Sequence, residues 1–224
     1  MMGKRLGLAG NLAVWVGLAF SGLALYGQQG STFEIDFKNA QLLPSHWTLK
    51  LNPDGSGQFD ADAGEGANRD PKQIWAGDIH RPVQLSGAFT EKVFSTAKMR
   101  RWFAYPCESR MKVAFQGTKR LSYSGPEGSG ACEYNYSKDK EIEELGNSLM
   151  AVEFTLMSGA RMEKLLQHDR LGLNQELQTL TEAAKDGNAL EIGAIRETLT
   201  RIASDEAILE LARRKARLLL TESR

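Results

Sequence analysis

Aromatic residues are concentrated in one half of this 224-residue chain. Beyond the first 27 residues there are 15 of them; 14 lie in 28–136, and Phe154 lies further on. Aromatic residues favour strands, whereas the Leu- and Ala-rich remainder favours helices. We therefore predict an α+β fold. A small antiparallel β-sheet of hairpins with one packed helix (28–136) is followed by an all-helical C-terminal region (137–224).

Two hairpin systems are predicted from the alternation of apolar and polar residues. In the first, a strand through Trp47, Leu49 and Leu51 leads into Pro53-Asp54-Gly55 and then into a return strand at 58–62. This tripeptide favours a turn because Pro presets φ and Gly supplies a positive φ. The second system is predicted from three alternating groups: Met111, Val113 and Phe115; Leu121 and Tyr123; and Cys132, Tyr134 and Tyr136.

A helix near 86–100 is predicted between the two hairpin systems. Ser86 is a suitable N-cap, and the helix then has one apolar face, formed by Phe89, Val93, Phe94 and Ala97. The segment 61–73 is small and polar, so we predict a mobile loop there.

The C-terminal region is predicted to contain four helices from its three- and four-residue apolar spacing. Ser137 is the candidate N-cap of the first, which extends to about Gln167, and Ser158-Gly159 is a candidate break within it. The second ends at Asp186-Gly187, and Ser204-Asp205-Glu206 opens the last. The third carries the apolar residues Ile192, Ile195, Leu199 and Ile202.

The first 27 residues are predicted to be a signal peptide or an N-terminal anchor. Lys4 and Arg5 form a basic start and 6–26 is uncharged, a pattern typical of secretory signals. Ala24 and Gly27 offer cleavage sites, and the lack of a following Cys excludes a bacterial lipoprotein anchor. If it is retained, the uncharged run just reaches the roughly 20 residues that span a bilayer. We predict export to the periplasm or the extracellular space, which leaves 28–224 with a net charge of −2.

Export favours a disulfide between the two cysteines, Cys107 and Cys132. A reactive thiol is the alternative, but a Cys nucleophile needs a nearby His as base, and nothing in the sequence places a His there. We therefore predict a structural disulfide that closes the second hairpin system.

The strongest local charge imbalance lies between Lys98 and Tyr123. This segment carries seven basic residues against the single acid Glu108, in a protein whose overall charge is zero. Basic groups near aromatic rings bind phosphates, anionic headgroups or acidic glycans. The alternative is a helix C-terminus and a solvated strand face. The candidate anion-binding residues are Arg100, Arg101, Arg110, Lys112 and Lys119.

Known catalytic and metal-binding motifs are absent from the sequence. The three histidines (His46, His80 and His168) have no metal-ligand spacing, so no metal site and no cofactor are predicted. The segment 52–57 faintly resembles a calcium loop, but a hairpin turn explains the same residues. A catalytic site assembled in space is the alternative, and its candidate members are His46, His80, Asp60 and Asp62.

These observations predict an exported bacterial protein that acts by binding in the periplasm or cell envelope, without enzymatic activity. Its predicted partner is an envelope protein or an anionic surface. The neutral overall charge argues against nucleic acid as a partner. Contact with a membrane is expected only through the leader, if the leader is retained. The alternative prediction is an exported hydrolase.

Overall fold

The computed structural model describes residues 30–62 and 77–222. The predicted signal peptide lies outside these residues, as does all of the predicted loop 61–73 except its first two residues. Those two residues end a strand.

Six strands form one antiparallel sheet in the order β4-β3-β2-β1-β5-β6. Each strand pairs antiparallel with its neighbours, and in the middle of the sheet Ile35 faces Leu49 on one side and Leu121 on the other. The strands are β1 (Thr32–Lys38), β2 (His46–Leu51), β3 (Ser56–Asp62), β4 (Ile79–Gln84), β5 (Thr118–Gly125) and β6 (Gly128–Tyr134). The α+β class is confirmed, as are the hairpin at 46–62 and the turn at Gly55, whose φ is 81°.

One face of the sheet is buried and the other is polar. Successive side chains of a strand point to opposite faces, so Phe33, Ile35 and Phe37 of β1 enter the core while Glu34 and Asp36 lie on the opposite face. The same alternation holds along β2 and β3. The buried face packs against helices, and the polar face is open to solvent.

The strand predicted at Met111–Phe115 is wrong. Residues 104–117 are irregular, and the hairpin in this part of the chain consists of β5 and β6. Because β1 and β6 already pair with both edges of β5, the segment before it has no edge of that strand to join. The apolar side chains that suggested a half-buried strand are exposed instead.

The helix α1 (Gly87–Met99) confirms the helix predicted near 86–100. The Ser86 hydroxyl oxygen accepts a hydrogen bond from the backbone N–H of Phe89 at 3.2 Å, as expected of an N-cap. Phe89, Val93 and Ala97 of the predicted apolar face are buried in the core, whereas Phe94 is only partly buried.

The long helix α2 (Lys140–His168) begins three residues later than its predicted cap. Asp139 caps it, because its carboxylate accepts hydrogen bonds from the backbone N–H groups of Glu141 and Ile142. The candidate break at Ser158-Gly159 does not occur. Gly159 instead permits close packing, since a Cβ atom there would lie 2.4 Å from the Cγ2 atom of Ile195.

Three shorter helices complete the chain: α3 (Leu173–Lys185), α4 (Arg196–Ser204) and α5 (Glu210–Glu222). A single 3-10 turn, Ile192–Ile195, precedes α4. The predicted end of α3 at Asp186-Gly187 is confirmed, with Gly187 at φ 74°. The last helix does not open at Ser204. The Asp205 carboxylate accepts from the backbone N–H of Ala207 and forms a turn, so the helix begins at Glu210.

Buried residues from the sheet and from the helical half form one hydrophobic cluster, which extends from Phe33 to Leu219. Polar contacts also join the two parts. Arg81 of β4 lies 2.9 Å from the carboxylate of Glu163 in α2, and the Ser86 hydroxyl donates to Glu191 at 2.7 Å. None of the helices in the described ranges combines the length and the apolar character needed to cross a bilayer.

Candidate functional site

The two cysteines lie at disulfide distance, which confirms their predicted pairing. The sulfur atoms of Cys107 and Cys132 are within bonding range, with their Cα atoms 5.6 Å apart. Both residues are buried. The link fastens the irregular segment 104–117 to the edge strand β6, rather than closing a hairpin made of two regular strands.

Two of the five candidate anion-binding residues are used inside the protein. The Arg100 guanidinium lies 2.9 Å from the carboxylate of Asp139 and also contacts Glu141, whose hydrogen bond raises the pKa of Arg100. Lys119 is only 3% exposed, and its ammonium group lies over the ring of Tyr134. Burial lowers the pKa of Lys119. These two cations therefore support the fold.

The other three candidates, Arg101, Arg110 and Lys112, are exposed. Arg110 and Lys112 belong to seven consecutive exposed residues, Arg110–Gln116, which we name the 110–116 loop. Within it Met111 is 50% exposed, Val113 41% and Phe115 59%. They are three of the nine exposed large apolar side chains in the described part of the chain. The loop thus combines cations and apolar groups, and it contains no acidic residue.

Asn135, which follows β6, holds the 110–116 loop in place. Its side chain accepts a hydrogen bond from the backbone N–H of Gln116 at 2.7 Å and donates one to the carbonyl of Ala114 at 3.1 Å. Its own backbone N–H donates to Glu108 at 2.7 Å, and this bond holds the pKa of the Glu108 carboxyl below its usual value. The backbone of the loop is therefore fixed at both ends while its side chains face solvent.

Sequence patterns did not indicate either of these two holding residues. Asn135 stands between the alternating apolar residues Tyr134 and Tyr136, and Glu108 is a single acid in a basic segment. The one available signal was that Glu108 immediately follows Cys107, so the disulfide necessarily brings it close to the end of β6.

The candidate hydrolase residues meet on the open polar face of the sheet. The Nδ1 atom of His46 lies 2.9 Å from Asp62, and its Nε2 atom lies 3.1 Å from Asp36. The Nδ1 atom of His80 lies 2.9 Å from Asp60, and this hydrogen bond raises the pKa of His80. The structure thus places all four candidate residues on one face, where each His contacts an Asp, and adds Asp36 as a second partner of His46.

This arrangement lacks features that a hydrolase needs. Both ring nitrogens of His46 face carboxylates, so neither is left to take a proton from a nucleophile. The side chain of His80 is 69% exposed on the polar face of the sheet, whereas catalytic groups usually line a cleft. The described residues contain no cluster of three metal-binding side chains. In the turn that resembled a calcium loop, Asp54 accepts hydrogen bonds from Ser56.

A cleft of about 400 Å³ lies between α1 and the turn that joins β5 to β6. Its wall is aromatic. The indole ring of Trp102 stacks on Tyr123, with ring centroids 4.5 Å apart, and Phe94 meets the edge of Tyr123 at 6.1 Å. We name this feature the aromatic cleft. None of the candidate anion-binding or hydrolase residues lines it.

An unusual backbone conformation positions Trp102. Arg101, Trp102 and Phe103 all have positive φ values, of 52°, 59° and 63°. The left-handed conformation costs L-residues roughly 1–2 kcal/mol each. Two glycines of β6 make room for this turn: a Cβ atom on Gly128 would lie 2.2 Å from the indole, and one on Gly130 would lie 2.6 Å from the Trp102 carbonyl. The Gly-Ser-Gly sequence at 128–130 therefore begins β6 and also leaves room for the backbone and ring of Trp102.

No protein-family model matches the chain, and no curated protein is similar to it in sequence. Two surface features of the described residues, the 110–116 loop and the aromatic cleft, are the candidate functional sites.

Proposed function

We propose that this is an exported protein that binds an anionic surface of the cell envelope, and that the 110–116 loop makes the contact. The single observation that carries this proposal is the exposure of three apolar side chains beside two cations in one fixed loop. The leader pattern and the cysteine pair support export.

The loop has the composition that favours the headgroup region of an anionic bilayer. Apolar side chains that enter this region gain free energy in proportion to the area they bury. Each Lys or Arg near an anionic surface adds about 1 kcal/mol. The cations Arg110 and Lys112 alternate in sequence with the apolar residues Met111, Val113 and Phe115. Five of the seven loop residues therefore supply either an electrostatic or an apolar contribution. Phospholipid headgroups are therefore the partner to which we commit. This proposal replaces the expectation that only the leader would contact a membrane, because Met111, Val113 and Phe115 are exposed rather than half-buried in a strand.

The fixed backbone of the 110–116 loop also supports the proposed lipid contact. A flexible loop would lose conformational entropy when it bound, and this loss would weaken the complex. The disulfide and the hydrogen bonds of Asn135 fix the loop backbone in advance. Burial of apolar groups is normally favoured, so a fixed loop that keeps three of them exposed to water supports the proposal of a contact surface.

Co-sedimentation with vesicles tests the proposal. The exported form, with its N-terminus determined by mass spectrometry, is mixed with vesicles of phosphatidylcholine alone or with added phosphatidylglycerol. We expect binding only to the anionic vesicles, and weaker binding at high salt. The double variant Arg110→Gln/Lys112→Gln should bind about 30-fold more weakly, as two lost contributions of about 1 kcal/mol imply. The triple variant Met111→Ser/Val113→Ser/Phe115→Ser should lose about tenfold or more.

Matched variants elsewhere on the surface provide the controls. Arg201→Gln/Arg214→Gln removes the same charge from exposed positions in α4 and α5. The triple change to Ser at Leu171, Leu209 and Leu211 removes exposed apolar groups outside the loop. Both controls should bind like the wild type. Failure of the wild type to bind anionic vesicles, or equal losses in the controls, would show that the loop is not a lipid contact.

A further inference from the structure

The aromatic cleft has a mixed rim. Lys98 and Glu127 both line the cleft and form an ion pair at 3.5 Å, and Glu91 adds a second carboxylate. Ser31 and Ser95 contribute hydroxyl groups, of which that of Ser31 accepts a hydrogen bond from the Tyr123 hydroxyl at 2.8 Å. The rim thus offers hydrogen-bond donors and acceptors with little net charge, above an aromatic wall.

Trp102 packs on Tyr123 but stays partly exposed to the cleft. Its neighbour Phe103 is fully buried against Phe33, which accounts for part of the left-handed turn. Trp102 itself is only half-buried and lines the cleft. Backbone strain of this kind often occurs at ligand-binding sites. Here it holds a large amphipathic ring at the wall of a cavity.

The chemistry of the cleft selects among ligand classes. The carboxylates of Glu91 and Glu127 disfavour an anion. A cation is also disfavoured, because Trp102 and Tyr123 stack on each other instead of surrounding a charge, and Lys98 lies on the rim. A neutral ligand with apolar C–H faces and many hydroxyl groups matches both the wall and the rim. At about 400 Å³ the cleft is near the lower end of ligand-pocket volumes.

We propose that the aromatic cleft binds a neutral saccharide of one or two rings. The C–H face of a sugar ring packs on the part of the Trp102 indole that Tyr123 leaves uncovered, and the hydroxyl groups of the sugar donate hydrogen bonds to Glu91 and Glu127. This inference does not rest on the 110–116 loop, because the loop lies outside the cleft lining.

Saturation-transfer NMR and calorimetry with three neutral disaccharides, cellobiose, maltose and N,N′-diacetylchitobiose, test this proposal. We expect at least one to bind the exported form with a Kd of about 1 mM, an ordinary affinity for a small ligand in an open cleft. Trp102→Ala should weaken this binding about tenfold or more, and Trp102→Phe should restore part of it, because an aromatic face remains. Glu91→Gln, which alters an exposed side chain, should weaken it about threefold to tenfold.

Further measurements make the test decisive even if Trp102→Ala fails to fold. Glu91→Gln is then compared with Glu144→Gln, an equivalent change at an exposed position of α2 that should not alter the affinity. Tetramethylammonium chloride serves as the cationic probe. The proposal is overturned if none of the three sugars binds, if Glu91→Gln and Glu144→Gln bind a sugar equally well, or if tetramethylammonium occupies the cleft in preference to the sugars.

Discussion

Replacing Cys107 and Cys132 together by Ala is expected to lower the free energy of unfolding by about 3 kcal/mol. The two residues are 25 positions apart, and a cross-link over such a span restricts the unfolded chain by about this free energy. Ala is preferred to Ser because both positions are buried, where an unpaired hydroxyl group would add a separate cost. Urea unfolding of the variant and the wild type measures the difference.

The wild type in a reducing buffer is the matched control, since it loses the same cross-link without any change in sequence. It should lose nearly the same free energy as the double variant. The folded variant should still bind anionic vesicles, because the hydrogen bonds of Asn135 to Ala114 and Gln116 remain. A loss below about 1 kcal/mol in both cases would mean that the cross-link does not restrict the unfolded chain as the loop-entropy argument requires.

Local signals predicted those elements in which two independent features agreed. The hairpin at 46–62 has both apolar alternation and a Pro-Asp-Gly turn, and the helix after Ser86 has both a cap and an apolar face. The alternation at Met111, Val113 and Phe115 had no second feature to support it. It also gave no information about the edges of β5, both of which are paired with other strands. The opposite error concerns β1 and β4: no strand is predicted at either place, although Phe33, Ile35 and Phe37 alternate clearly with polar residues in β1.

The candidate site was less predictable than the fold, because it depends on contacts between distant residues. Arg100 looked like a free cation, but its partner Asp139 lies 39 residues away. Lys119 is buried, and its ammonium group lies over the ring of Tyr134, which belongs to the next strand. The aromatic cleft depends on a left-handed turn at residues whose sequence contains no glycine. Local patterns identified the basic segment, but only the folded chain shows which of its charges remain available.

Glu153 of α2 is a carboxyl group in an unfavourable environment. Burial raises its pKa from 4.5 to about 7, and the positive charge of Arg161 offsets this only in part. The folded protein therefore retains a proton that the unfolded chain releases once the pH exceeds about 4.5. By linkage, the resulting contribution to stability is fully present below this pH and is lost as the pH rises through about 7.

The variant Glu153→Gln is accordingly expected to be more stable than the wild type at pH 8, by about 2 kcal/mol, and nearly equal to it at pH 4.5. Each unit of pKa shift corresponds to about 1.4 kcal/mol, and the remaining solvent access of the side chain reduces the total. Gln has a similar shape but does not ionise, so it removes the charge that the buried site disfavours. The free energies of unfolding of the variant and the wild type, measured from pH 8 to pH 4.5, should converge as the pH falls. Glu144→Gln, at an exposed position of the same helix, should show no such convergence. If Glu153→Gln differs from the wild type by the same amount at both pH values, the Glu153 carboxyl ionises normally in the folded protein.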